Sequence, residues 1–233
     1  MSLPRLLRRS FQGITRCRGC LGPLDAPAEA GLCGQCWEGL LPLPEGRCTL
    51  CAQLHDEASP CPDPVAWALG DALWDYHGGR PPLGALLVPA IKEGERGWQQ
   101  VLLRRAAAAE LPDWAAEMDA VTAAPSALPR RLLRGFDLGE EAAKAFARRL
   151  QRPFVATLRK TWWRPRQATR TETERRRLPR KAITLRPSVH IQGRSLLLVD
   201  DVWTTGTTLL RCAQALLGAG AAEVRVLTLF RAL

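Results

Sequence analysis

Beyond residue 65, apolar and polar positions follow two rhythms in turn. Residues 97–111 place apolar side chains at helical spacing among many alanines, and 137–150 repeats that amphipathic, alanine-rich pattern. Shorter apolar runs at 118–124, 153–158, 195–199 and 224–230 read as strands. A further helix is predicted over 206–217, stopped by Gly218 and Gly220. Strands alternating with helices predict an α/β domain with a parallel sheet flanked by helices. The run at 195–199 is too short to span a membrane and suits a strand buried on both faces. From residue 159 to 191 the pattern disappears, and a long segment of that kind reads as a functional lid or a disordered loop.

Residues 195–210 read Ser-Leu-Leu-Leu-Val-Asp-Asp-Val-Trp-Thr-Thr-Gly-Thr-Thr-Leu-Leu. The strand runs into Asp200 and Asp201, which are expected at its carboxyl end, where open α/β sheets bind ligands. A Thr/Gly turn that opens a helix offers backbone N–H groups, hydroxyls and the positive end of the helix dipole to an anion. The acids are suited to accept from hydroxyls or to coordinate Mg²⁺. The plain alternative is a strand, a turn and a helix capped by its own threonines. Capping needs one such residue, whereas two acids and four threonines crowd into this turn.

The N-terminal part is different in kind. Seven of the eight cysteines lie between residues 17 and 61, as Cys17-x₂-Cys20, Cys33-x₂-Cys36, Cys48-x₂-Cys51 and a lone Cys61. The first two pairs fit one tetrahedral Zn²⁺ site of Cys17, Cys20, Cys33 and Cys36, as in a zinc ribbon. Cys48, Cys51 and Cys61 leave a second site open: it needs His55 or Asp63 as fourth ligand, or it is lost. The proline-rich 60–64 stretch marks the expected boundary between a ribbon (1–64) and the main domain (65–233). No apolar stretch reaches membrane-spanning length and no secretory signal is evident, so a cytoplasmic protein is expected. The net charge of +10 is concentrated: residues 159–181 carry ten Lys/Arg against Glu172 and Glu174. That excess suits a polyanionic ligand or partner.

The 195–210 segment resembles the 5-phosphoribosyl-1-diphosphate (PRPP) signature of type I phosphoribosyltransferases. The resemblance implies that Asp200 and Asp201 hold the ribose hydroxyls and that Thr204, Thr205, Gly206, Thr207 and Thr208 wrap the 5-phosphate. It also implies Mg²⁺ bound with PRPP, and a mobile loop over 159–191 that closes on it. A cysteine ribbon joined to such a domain is similar to the ComF family (the ComFC type and GntX-like relatives). Ile91-Lys92-Glu93-Gly94 resembles that family's lysine–glycine element near the pyrophosphate, and Arg134-Gly135-Phe136 its Arg-Gly-Phe-Asn motif. The stretch from Gln167 to Arg177 resembles its glutamine and arginine cluster. By this resemblance Lys92, with an arginine among Arg175, Arg176 and Arg177, meets the pyrophosphate. The chain departs from the pattern at Asp137 and Leu178, where relatives carry asparagine, and at Trp203, where many carry a smaller aliphatic side chain, a change expected to alter the pocket wall.

Three functions compete on these residues. One is transfer of phosphoribose to an unidentified acceptor with release of pyrophosphate. Another is non-catalytic binding of single-stranded DNA by the ribbon and basic segment, in which Trp162 and Trp163 stack on bases. ComF relatives are linked to DNA uptake in natural transformation, which implies competence-machinery proteins as partners. The third is a PRPP sensor that docks through its ribbon.

Overall fold

A computed structural model describes residues 16–24, 28–56, 59–62, 65–126, 135–160, 182–187 and 189–232. Its elements are α1 (Gly34–Glu38), β1 (Leu69–Asp75), α2 (Leu83–Glu93), α3 (Arg96–Ala108), a 3₁₀ turn (Asp113–Glu117), β2 (Ala120–Ala123), α4 (Leu138–Arg149), β3 (Leu158–Lys160), β4 (Ile183–Leu185), β5 (Ser195–Trp203), α5 (Thr207–Gly218) and β6 (Glu223–Arg231).

Four strands form an all-parallel sheet in the order β1-β6-β5-β2. The two central strands are the most apolar, because each is hydrogen-bonded on both edges and covered on both faces. On one face Leu197, Val199, Leu227 and Leu229 pack against α2, α3 and α4; on the other Leu196, Leu198, Val224 and Val226 pack against α5. The parallel sheet flanked by helices is therefore as the rhythm of the sequence predicts.

Three readings change in detail. The strand expected at 195–199 continues through Trp203, in register with β6 as far as Trp203 opposite Arg231. The strand expected at 153–158 shrinks to a parallel bridge between Phe154 and Val121, after which the chain turns away and resumes as β3. The Thr122 and Thr157 hydroxyls meet at 2.7 Å at that turn. The segment expected to lack regular structure pairs its ends, β3 with β4 antiparallel, a contact too short and too non-local to leave a periodic signature. Residues 161–181 between them lie outside the described residues.

The cysteine-rich part packs into the cores of the sheet. Cys17, Leu32, Cys36 and Trp37 share a core with α2 and α3, while Leu43, Cys51 and Ala52 share the opposite core with α5. Gly70 of β1 shows how closely the two parts approach. Its N–H donates to the Thr49 carbonyl at 2.7 Å, and a Cβ there would lie 2.7 Å from the Leu50 carbonyl oxygen. On the other side Arg18 pairs with Glu95 at 2.9 Å and stacks over Trp98, whose Nε1–H donates to the Ala30 carbonyl.

Asp137 ends the extended approach to α4 and accepts a hydrogen bond from the Glu140 N–H at 3.2 Å, so it is the helix N-cap. Asparagine and aspartate cap about equally well, which explains why aspartate is accommodated at this position. Asp137→Ala is expected to cost about 1 kcal/mol and lower the thermal midpoint by roughly 2–4 °C. Asp137→Asn should leave the midpoint within about 1 °C in the same melting experiment.

Candidate functional site

The site forms where β5 emerges from the sheet. Asp200 and Asp201 lie in the last half of the strand, and the turn Thr204–Thr208 follows at once. Asp200 Oδ1 accepts from the Asp201 N–H at 2.8 Å. Asp201 Oδ2 takes an ion pair from Lys92 Nζ at 2.6 Å. Lys92 is in the last turn of α2, so the lysine–glycine element is drawn to the acids and is not a solvated surface feature. The N-terminus of α4 closes the other side: a Cβ on Gly139 would come within 3.3 Å of Asp200 Oδ1 and of the Asp201 nitrogen. Gly139 was not legible as a site residue, since a glycine near a helix start gives no signal until the strand beside it is known.

Burial drives the Asp200 carboxyl well above the usual carboxylate range, and the adjacent Asp201 charge adds to the rise. Lys92 and the Asp201 N–H oppose it.

The turn itself leaves the start of α5 without a side-chain cap. Gly206 is the N-cap of the helix, in the left-handed region (φ 68°). The threonines thus do not serve as caps, the role the plainer reading gives them. Instead the Thr205 and Thr207 hydroxyls lie 2.9 Å apart, beside a first turn of N–H groups that intrahelical bonds cannot satisfy. Gly206 is required twice over, by its φ and because a Cβ would fall 2.9 Å from Trp203 Nε1. Trp203 does not wall the pocket as its position in the resemblance suggested. It is fully buried beneath the turn, edge-on to Trp67 with ring centroids 5.2 Å apart.

A cavity of about 250 Å³ opens at the carboxyl end of β2, between Ala124, Glu140, Phe154 and Lys160. Arg175, Arg176 and Arg177, with Arg134, Trp162, Trp163 and Leu178, lie outside the described residues.

Two ligand clusters stand at the N-terminal side. Cys17, Cys20, Cys33 and Cys36 form one, and Cys48, Cys51, His55 and Cys61 the other, each with its ligand atoms within 4.8 Å of one another. Ligand sulfurs on a tetrahedral zinc with bonds of about 2.3 Å sit roughly 3.7 Å apart. The observed pairs fit: Cys17–Cys36 at 3.5 Å, Cys20–Cys33 at 3.8 Å and Cys48–Cys61 at 3.7 Å. Cys51 Sγ lies 3.2 Å from His55 Nε2. His55 Nδ1 is 2.9 Å from the Asp56 carbonyl, which only accepts, so Nδ1 carries the proton and Nε2 is left as a ligand. Of the two fourth ligands left open by the sequence, His55 is in place; Asp63 lies outside the described residues. Burial would raise the Cys17 thiol, but N–H groups around it outweigh that and bring it to about 6; Cys48 is brought to about 7 in the same way. Both clusters can hold zinc.

Residues 136–233 match the phosphoribosyl transferase domain family. Along most of its length the chain is similar to the DNA utilization protein YhgH of Salmonella typhimurium, 29% identical over 235 residues, covering 86% of this chain and 98% of the relative. The protein of that name from Escherichia coli O157:H7 is 28% identical over 243 residues, with 86% and 98% covered. Among solved structures, the glutamine phosphoribosylpyrophosphate amidotransferase of B. subtilis is 24% identical over 56% of this chain and 25% of that one, with a TM-score of 0.36. The match over residues 136–233, with the parallel sheet flanked by helices, gives this part of the chain the type I phosphoribosyltransferase fold. Its N-terminal cysteine clusters and its similarity to the YhgH proteins over most of its length agree with the ComF-type arrangement that the sequence resembles.

The raised Asp200 carboxyl has a consequence for stability. Its unfolded value is about 3.9 and its folded value is higher, so folding binds a proton. Stability is full below the unfolded value and falls as pH rises through the folded one. Asp200→Asn removes that loss. Its thermal midpoint is expected to exceed the parent's by a few degrees at pH 7 (about 1 kcal/mol), with the gap closing below about pH 4.

Proposed function

We propose that this protein binds PRPP at the end of β5 and transfers its phosphoribosyl group to a nitrogen nucleophile, releasing pyrophosphate. The observation that carries the reading is the uncapped, glycine-led start of α5 directly after two acids that Lys92 already reaches. The 5-phosphate sits against the Thr204–Thr208 N–H groups and hydroxyls. Asp200 and Asp201 accept from the ribose 2- and 3-hydroxyls. Lys92 then moves from Asp201 to the pyrophosphate, joined by an arginine among Arg175, Arg176 and Arg177. The bond from the anomeric carbon to the pyrophosphate oxygen breaks with its electron pair on oxygen, and the acceptor nitrogen forms the new bond and passes its proton to water. The protein's work is positioning and charge stabilisation. Mg²⁺, when bound with PRPP, neutralises part of the diphosphate charge. The cavity between Ala124, Glu140, Phe154 and Lys160 is where the acceptor is expected, with Phe154 offering a ring face.

A second reading, single-stranded DNA binding, is favoured by the ten basic residues of 159–181 and by relatives named for DNA utilization. The two readings separate by salt. DNA affinity that depends on phosphate contacts falls steeply between about 50 and 200 mM salt, and a flat response would argue against it.

The test of the first reading is calorimetric titration with Mg²⁺–PRPP. Parent protein should bind, and Asp200→Asn/Asp201→Asn should bind at least about 100-fold more weakly, two charge-assisted hydrogen bonds being lost. Pyrophosphate release across a panel of nucleobases identifies the acceptor; PRPP binding without release on any base would leave a sensor and not a transferase. We also assign zinc to both cysteine clusters. Elemental analysis is expected to return two zinc ions per chain for the parent and one for His55→Ala.

A further inference from the structure

Arg231, the last residue of β6, is fully buried, which is unusual for an arginine. Its Nε–H donates to the Cys51 carbonyl at 3.1 Å. Its Nη1 donates to the carbonyls of Trp203 at 3.0 Å and Ala232 at 2.9 Å, and to that of Thr204. The guanidinium lies 4.7 Å from the Trp203 ring centroid. One side chain therefore holds the second cysteine cluster at one end and the first peptide units of the phosphate turn at the other.

This has a geometric effect on the turn. In a planar trans peptide the C=O and the following N–H point in opposite directions. Arg231 fixes the carbonyls of Trp203 and Thr204 inward, so the N–H groups of Thr204 and Thr205 are aimed away from it. A turn whose N–H groups are already aimed needs no reorganisation when an anion arrives. Trp203 reinforces this from below, because its indole is clasped between Trp67 and Arg231 and sits against Gly206. The link to the cluster is equally direct. Cys51 is one of its four ligands, and the neighbouring Thr49 and Leu50 carbonyls are bonded by Gly70 N–H and Trp67 Nε1–H. A metal ion that fixes Cys48 and Cys51 fixes the carbonyl on which Arg231 leans.

We propose that Arg231 is a positioning residue of the phosphate turn and that it couples the turn to the Cys48, Cys51, His55 and Cys61 cluster. Metal at the cluster then preorganises the phosphate site through the core. The proposal rests on reading the turn as the 5-phosphate site, and its test separates the two.

The test uses full-length, zinc-loaded protein without ligand, and follows hydrogen–deuterium exchange of the 200–210 segment. Arg231→Lys keeps a charge but loses the planar fork. It is expected to speed exchange in the turn roughly tenfold while α3 keeps its protection. Titration should show ribose 5-phosphate bound roughly tenfold more weakly and pyrophosphate unchanged, a split that general destabilisation would not produce. His55→Ala leaves Arg231 and the turn intact and should move the same amides in the same direction. Unchanged turn exchange in both variants overturns the proposal. Should Arg231→Lys fail to fold, His55→Ala decides alone: faster turn exchange supports the coupling, and unchanged exchange overturns it. If the parent binds neither PRPP nor ribose 5-phosphate while turn exchange still responds, the ligand reading fails and the coupling stands.

Discussion

The structure depends on β5 being the strand that cannot move. It is hydrogen-bonded to β6 on one edge and β2 on the other, and Leu196, Leu197, Leu198 and Val199 are each fully buried. Displacing it would expose apolar surface on both faces and break two ladders together. The acid pair and the glycine-led turn are carried on its free end. The acids are the next residues along, the turn follows, and α5 returns over the face that Leu196 and Leu198 present. Rigidity in the apolar half of one strand becomes precision in its polar half.

That precision has an opposing cost. Two carboxyls placed next to each other at the edge of a core are poorly solvated, and the rise in the Asp200 carboxyl records it. Lys92 offsets part of the charge from the last turn of α2. The site thus stores unfavourable electrostatics, a feature that clusters at functional positions.

The cysteine segments also act differently from an appended ribbon. They straddle the β1 edge of the sheet, one cluster against α2 and α3 and the other against the α5 side. A short segment of this kind buries little apolar surface by itself, and ligand geometry supplies what packing does not. Because the second cluster touches Arg231, its order reaches the turn through the core.

Much of this was legible in the residues themselves. The buried strand, the acid pair, the glycine-led turn and the four cysteines of the first cluster are local patterns, in which neighbours in sequence supply the chemistry. The alternation of strand and helix fixed the sheet's class for the same reason. Other features needed the fold. α2 carries Pro89 in its interior, a residue that normally ends a helix, and only the burial of Leu83, Leu87, Val88 and Ile91 sustains it. β1 is broken by Gly70 and Asp71 and becomes a strand because β6 offers a partner. Lys92, Gly139 and Arg231 reach their partners across separations that no spacing rule encodes. Local backbone and side-chain chemistry thus determined what each segment is able to be and to bind, whereas the meeting of distant side chains was decided by which faces the apolar residues had to bury.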